Sequence, residues 1–247
     1  MNNITPKTEC LFTKSDPIDT LTINEAICLM INEQKKAALE VKKNLFEIEQ
    51  TINQICEHLK LYKKGRLVYV GAGTSGRIGI QDGVELYPTF NWPKNRLDYI
   101  IAGGEKAILN AIENAEDNSI FATEIVRTKS ISFQDIVIGI SASGNTPFTC
   151  KVLEESIRKE ALTIAISNNP KGQILNYGKF KIVLDTKEEV IAGSTRLKAG
   201  TSQKICLNII SSLVMTKLGR VKNGYMSNMV PTNKKLRKRK EYINLKI

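Results

Sequence analysis

The sequence predicts an α/β fold, a flavodoxin-like five-stranded parallel sheet with helices on both faces, preceded by a long N-terminal helical region. Three observations predict it. After Lys63-Lys64-Gly65, short apolar runs alternate with helical stretches, the mark of parallel strands joined by crossover helices. Strand ends open into loops rich in glycine and hydroxyls. Upstream, apolar residues recur at spacings of four and three, the period of one helix stripe.

Taken in order, residues 1–64 form a lead-in and helical region, 65–232 the sheet domain, and 233–247 a basic tail. Thr22-Ile23-Asn24-Glu25 reads as a capping box that starts a helix. Val41, Leu45, Ile48, Ile52, Ile55 and Leu59 lie on one stripe of a long helix that must be covered, either by its own domain or by a second subunit, and an exposed stripe of that length is compatible with a dimer. His58, the only histidine, stands beside the stripe with no partner for catalysis or metal binding. The expected strands are Leu67 to Val70, Tyr99 to Ala102, Ile136 to Ile140, Thr163 to Ser167 and Lys181 to Leu184. The expected helices are Gly76 to Leu86, Glu105 to Ala115, Pro147 to Lys159 and Gly200 to Leu218.

Composition excludes several classes of function. A chain of 247 residues with 42% hydrophobic and 25% charged residues is an ordinary globular domain. The longest apolar candidate, Ile205 to Met215, is interrupted by Asn208, Ser211 and Ser212 and falls short of the ~20 residues of a membrane span. The start, MNNITPKTEC, lacks the order of a signal peptide, so a cytoplasmic protein is expected. Cys10, Cys28, Cys56, Cys150 and Cys206 form no CxxC pair and read as small buried hydrophobes; no metal is expected. The net charge of +11 is concentrated at one end: seven basic residues stand against Glu241 alone from Asn233 to Ile247. Such a run reads as a solvated end, not as a specific nucleic-acid site.

In a parallel sheet of this kind, ligands lie beyond the carboxyl ends of the strands. The first such loop, Gly71-Ala72-Gly73-Thr74-Ser75-Gly76-Arg77, leads into a helix whose unpaired amides and dipole favour an anion. Its glycine spacing also satisfies GxGxxG. A dinucleotide site, however, wants an acidic residue at the end of the second strand, and that strand ends Ile101-Ala102-Gly103-Gly104, with Asp98 at its beginning. The third strand opens into Ser141-Ala142-Ser143-Gly144-Asn145-Thr146-Pro147, with Pro147 suited to the first helical position. A further segment, Gly193-Ser194-Thr195-Arg196-Leu197-Lys198, precedes the last helix, and its two cations suit charge neutralisation. The candidate binding residues are therefore Gly73, Thr74, Ser75, Ser141, Ser143, Thr146, Ser194, Thr195, Arg196 and Lys198.

The stretches VGAGTSGR, ASGNTP and GSTRLKAGT together resemble the sugar isomerase (SIS) family of phosphosugar-binding domains and, more narrowly, its N-acetylmuramic acid 6-phosphate etherase branch. The resemblance extends to Asp82 to Phe90, Ala115-Glu116-Asp117 and Val230 to Leu236, and covers about residues 8–240. It implies a cofactor-independent lyase, usually a homodimer, that cleaves the lactyl ether of its substrate with water to give N-acetylglucosamine 6-phosphate and (R)-lactate in cell-wall sugar recycling. It places the family's two catalytic glutamates on Glu85 and Glu116. The chain departs from the family at Leu86-Tyr87, where Cys-Pro is frequent, and at Asn145, where Arg or Lys is frequent. Family members also continue into a further helical segment, so the resemblance is to a shortened member.

Two carboxyls suit the chemistry that this implies. Opening the sugar ring acidifies the proton on carbon 2; a base removes it, an acid protonates the departing lactate oxygen, and water adds to the unsaturated aldehyde. Glu116 is assigned the base and Glu85 the acid, with Leu86, Tyr87 and Phe90 expected to give Glu85 an apolar setting that keeps its proton. From spacing alone both glutamates read as solvated helix ends. Two alternatives share the same loops: a sugar-phosphate isomerase, and a non-catalytic sensor similar to the glucokinase regulatory protein.

Overall fold

The computed structural model describes residues 5–231 and 233–246; Met1–Ile4, Ile247 and Thr232 of the Val230 to Leu236 motif lie outside the described residues. Helix α1 (Ile23–Lys42) opens on the expected capping box, with the Thr22 amide donating to Glu25 Oε2 at 2.9 Å and the Glu25 amide donating to Thr22 Oγ1 at 3.4 Å.

The single long helix expected from Val41 onward is instead broken into α1 and α2 (Leu45–Leu61). Asn44 breaks it. Its side-chain amide donates to Glu40 O and to Val183 O, while its Oδ1 accepts the Val183 amide at 3.2 Å, so the junction is fixed to a strand and not to the helix axis. The stripe is still real, except at Leu45, which is 65% exposed. Val41, Ile48, Ile52, Ile55 and Leu59 pack with Cys206, Leu207, Ile210, Val214 and Met215 over Ile138, Ile140 and Ile164. Its own domain covers it, which removes the reason for a second subunit that the stripe gave. The uncovered apolar row lies on α1 instead, at Ile23, Ile27 and Ile31, four residues apart on one helix face.

Strands β1 (Leu67–Gly71), β2 (Leu97–Ile101), β3 (Ile136–Ser141), β4 (Leu162–Ser167) and β5 (Phe180–Val183) form one parallel sheet in the order β2-β1-β3-β4-β5. They agree with the expected strands to within two residues. The chain leaves β1 towards β2 on one side and crosses to β3 on the other, so the carboxyl ends of β1 and β3 form the crevice where the order reverses. One face is covered by α2, α3 (Gly73–Val84), the short α4 (Leu86–Phe90) and α7 (Lys198–Lys217). The other is covered by α5 (Ser119–Thr128) and α6 (Pro147–Arg158), through Ala122, Val126, Phe148, Val152 and Leu153.

The helix expected at Glu105 to Ala115 does not form. A single 3-10 turn (Glu105–Ile108) follows Gly103 and Gly104, and the helix between β2 and β3 is α5, capped by Asn118 accepting the Phe121 amide at 2.9 Å. Apolar residues of that segment, Ile108, Leu109 and Ile112, remain partly or largely exposed and are not taken into the core. The basic tail is a further helix, α8 (Lys234–Asn244), capped by Asn233 and held by the buried Ile243 and a Tyr225–Tyr242 ring contact. All five cysteines are free; Cys56, Cys150 and Cys206 are buried as expected, whereas Cys28 is exposed.

Candidate active site

The site is built where β1 and β3 end. Helix α3 begins at Gly73, three residues earlier than its apolar period indicates, so Gly73, Thr74 and Ser75 form its first turn. The amides of a first turn have no partner within the helix and carry its positive dipole end. In the second loop, Ser141 Oγ accepts the Gly144 amide and shares a hydrogen bond with Thr146 Oγ1, both at 3.0 Å. Ser143 Oγ accepts the Asn145 amide at 3.2 Å, and Ser143 O accepts from Asn169 Nδ2 at 2.8 Å. The loop is therefore set rigidly over the start of α6, and Ser141, itself buried, acts as a brace beneath it.

Between the two helix starts lies a cavity of about 240 Å³ lined by Thr74, Ser75, Ser143, Thr146, Thr195, Ala72, Ala142, Gly193 and two carboxylates, Glu9 and Glu116. No lysine or arginine is among the lining residues. An anion here is met by hydroxyls, amides and helix dipoles. Glu116 sits in a 3-10 turn (Ala115–Asp117) just before the Asn118 cap. Arg77, from the first loop, donates to the carbonyls of Ala107, Ile108 and Asn110 and so ties the β2–α5 loop, which carries Glu116, to α3.

The third segment differs from expectation. Thr195 reaches the cavity, but Ser194, Arg196 and Lys198 are not among its lining residues, and Arg196 is exposed. Lys198 is buried and donates from Nζ to Glu33 Oε2 and to Glu188 O, both at 2.8 Å. The start of α7 is filled by the chain's own anion: Glu189 accepts the Lys198 and Ala199 amides at 3.0 and 2.7 Å. Burial pushes the Glu189 carboxyl up, against the pull of those two amides. A helix start already holding a carboxylate does not take a ligand's phosphate.

Glu85 is the other departure. It is the C-terminal cap of α3, and twelve residues of helix put it about 18 Å from Gly73, towards the amino ends of the strands. It is exposed and does not line the cavity of its own chain. Leu86 and Phe90 turn into the core, so the apolar setting expected around Glu85 is not supplied by its own chain. Glu9 is the residue the sequence reading missed. It falls in a stretch without periodicity, and the one available signal was that the family resemblance begins at about residue 8.

Asp98 and His58, for which no role in the site is expected, have structural partners. Asp98 lies at the amino end of β2 and pairs with Arg66 at 3.3 Å and Lys129 at 2.7 Å, which places no acidic group at the strand's carboxyl end for a ribose. His58 Nε2 is 3.0 Å from Gln134 O, and burial lowers its pKa. A larger cleft of about 700 Å³ runs along β2, but its walls, including Ile80, Val84, Ile101, Leu109 and Phe121, are mostly apolar and hold no hydroxyl-rich loop.

Known proteins share this fold. A sequence model of the glucokinase regulatory protein N-terminal SIS domain matches residues 47–156. Among solved structures, phosphoheptose isomerase from Neisseria gonorrhoeae superposes with a TM-score of 0.57 at 16% identity, over 79% of this chain and 100% of that one. The NanR protein of Vibrio vulnificus, complexed with ManNAc-6P, superposes with a TM-score of 0.55 at 12% identity, over 94% and 72%. Identities this low establish the fold alone. The N-acetylmuramic acid 6-phosphate etherase of Francisella philomiragia is 44% identical over 230 residues, 93% of this chain and 78% of its own length. That of Mycoplasma mycoides is 41% identical over 239 residues, 96% and 78%. Identity at this level over more than nine-tenths of the chain and more than three-quarters of each relative shows that the chain belongs to the N-acetylmuramic acid 6-phosphate etherase family.

Proposed function

We propose that the chain cleaves the lactyl ether of N-acetylmuramic acid 6-phosphate, releasing N-acetylglucosamine 6-phosphate and lactate. The observation that carries this reading is the cavity itself, where two hydroxyl-rich helix starts meet a carboxylate, Glu116, that no described residue engages. The 6-phosphate takes Ser75, Ser143 and Thr146 together with the amides of α3 and α6. Glu116 removes the carbon 2 proton of the ring-opened sugar, electrons move to expel the lactate oxygen from carbon 3, and water adds to the resulting double bond.

The leaving oxygen needs a proton, and the assigned acid, Glu85, lies at the far end of α3. The two-glutamate mechanism therefore takes Glu85 from a second copy of the chain, whose packing also supplies the apolar surroundings it lacks. A homodimer of this kind has a surface to use, since Ile23, Ile27 and Ile31 leave an apolar row open on α1. No helix among the described residues is long and apolar enough to cross a membrane, and five free cysteines suit a reducing cytoplasm.

The test is a lactate assay on purified protein with N-acetylmuramic acid 6-phosphate. Lactate formed in step with N-acetylglucosamine 6-phosphate is the expected result. Binding of the sugar phosphate without lactate release would instead favour a sensor, and interconversion of aldose and ketose phosphates an isomerase.

A further inference from the structure

The cavity holds a carboxylate that the mechanism above does not use. Residues Lys7–Glu9 form one 3-10 turn, and Thr8 at its centre is buried, with its carbonyl accepting the Gly193 amide at 2.9 Å. This fastens the N-terminal segment to the loop before α7 and brings Glu9 into the cavity with Glu116, Ser143 and Thr146. Gly193 holds φ +73, and a Cβ there would come within 2.9 Å of Glu9 Oε2, so the loop leaves to this carboxylate the space a side chain would fill. Among the described residues, no hydrogen bond or ion pair engages the Glu9 carboxylate.

An ionised carboxylate only accepts hydrogen bonds, and it repels a phosphate. Within this cavity it therefore divides the ligand. Hydroxyls and helix amides serve the phosphate, and the donors left for Glu9 are the hydroxyls and amide N–H of the sugar. We propose that Glu9 is a specificity-determining residue that accepts hydrogen bonds from the sugar portion of the phosphosugar and so separates sugar phosphates from phosphate alone. The proposal rests on the phosphosugar reading of the same site, though not on lactate release.

Calorimetric titration with N-acetylglucosamine 6-phosphate and with inorganic phosphate tests it on the full chain. Glu9→Ala should raise the Kd for the sugar phosphate about tenfold or more, as expected for loss of a charged acceptor. Glu9→Gln, which keeps one acceptor oxygen, should fall between. Inorganic phosphate should bind both variants as tightly as the parent, or more tightly with a negative charge removed. An unchanged sugar-phosphate Kd in both variants would overturn the proposal. Equal weakening of both ligands would also overturn it, because Glu9 would then shape the cavity without touching the sugar. Failure of the parent to bind either ligand would sink the phosphosugar reading and this proposal with it, whereas binding without lactate release would leave Glu9 standing and remove only the etherase reading.

Discussion

Gly73 and Glu116 meet across the mouth of the cavity: Gly73 holds φ +50, and a Cβ at that position would lie 3.1 Å from Glu116 Oε1. The first residue of α3 thus leaves room for the proposed base, although the two come from loops 43 residues apart in sequence. Gly73→Ala forces a β-carbon into a left-handed backbone, at a cost of about 1–3 kcal/mol, and displaces the carboxylate as well. We expect kcat/KM to fall about 100-fold or more with the far-ultraviolet circular dichroism unchanged. Wild-type kinetics in this variant would show that Glu116 need not occupy that space.

Phosphate recognition is tested by Ser143→Ala and Thr146→Val. A hydrogen bond to a charged group contributes about 1.5–3 kcal/mol, so each variant should raise the apparent KM for the 6-phosphate substrate roughly 10-fold to 100-fold. Thr146→Val also removes the hydroxyl that Ser141 holds, and is expected to be the more severe. Unchanged KM in both would leave backbone amides as the whole of the phosphate site.

The division of labour between the glutamates separates in heavy water. Glu116→Gln should stop both solvent exchange at carbon 2 and lactate release, each by a factor of about 10²–10⁴. Glu85→Gln should lose lactate release yet keep exchange, because deprotonation does not need the leaving-group acid. Exchange lost in Glu85→Gln and kept in Glu116→Gln would reverse the roles.

Sharing of the site makes its own prediction. Light scattering should give the mass of a dimer, and unfolding and refolding the two inactive variants together should restore activity. Random pairing makes about half of the dimers hybrid, each with one intact site, so recovery should approach about a quarter of the parental rate. A monomer at micromolar concentration, or no recovery from demonstrated hybrids, would place the acid elsewhere in the chain.

Lys198 forms a buried ion pair with Glu33 and is not among the residues that line the cavity. Removing one member of a buried ion pair costs about 3–5 kcal/mol, so Lys198→Met should lower Tm substantially, and adding Glu33→Gln should recover part of the loss. The Glu33 carboxyl would be raised by its burial, but hydrogen bonds from Lys198 and Lys36 outweigh this and hold it below its ordinary value of 4.5. A group lowered on folding contributes its stability above the unfolded value and loses it as pH falls through the folded one. Denaturant titrations should therefore show the parent weakening below about pH 4.5, with a shallower decline in Glu33→Gln. Parallel pH profiles would contradict the pairing.

The strands were legible because β1, β3 and β4 are buried on both faces and read as unbroken apolar runs. The two loops that line the cavity were legible as strand-to-helix turns because glycine and hydroxyls cluster where a strand ends and a helix begins. What was not legible depended on partners distant in sequence. Asn44 looks like any helix residue until Val183 is beside it. Lys198 looks like a phosphate ligand until Glu33, 165 residues away, claims it. Ile108, Leu109 and Ile112 keep helical spacing, but periodicity does not reveal whether a core is there to receive them. Glu85 was assigned through resemblance, and helix rise alone moves it out of its own chain's cavity.

The junction at Asn44 bears on how copies of this chain can meet. β5 is the last strand of the sheet, and an outer strand offers its free amides and carbonyls as a template for another chain to extend. Asn44 spends one side-chain amide on that margin, donating to Val183 O and accepting the Val183 amide, as an incoming backbone would. At Val183 that margin is thereby occupied by the residue that joins α1 to α2. A strand arriving to pair along β5 at Val183 would first have to displace the Asn44 side chain.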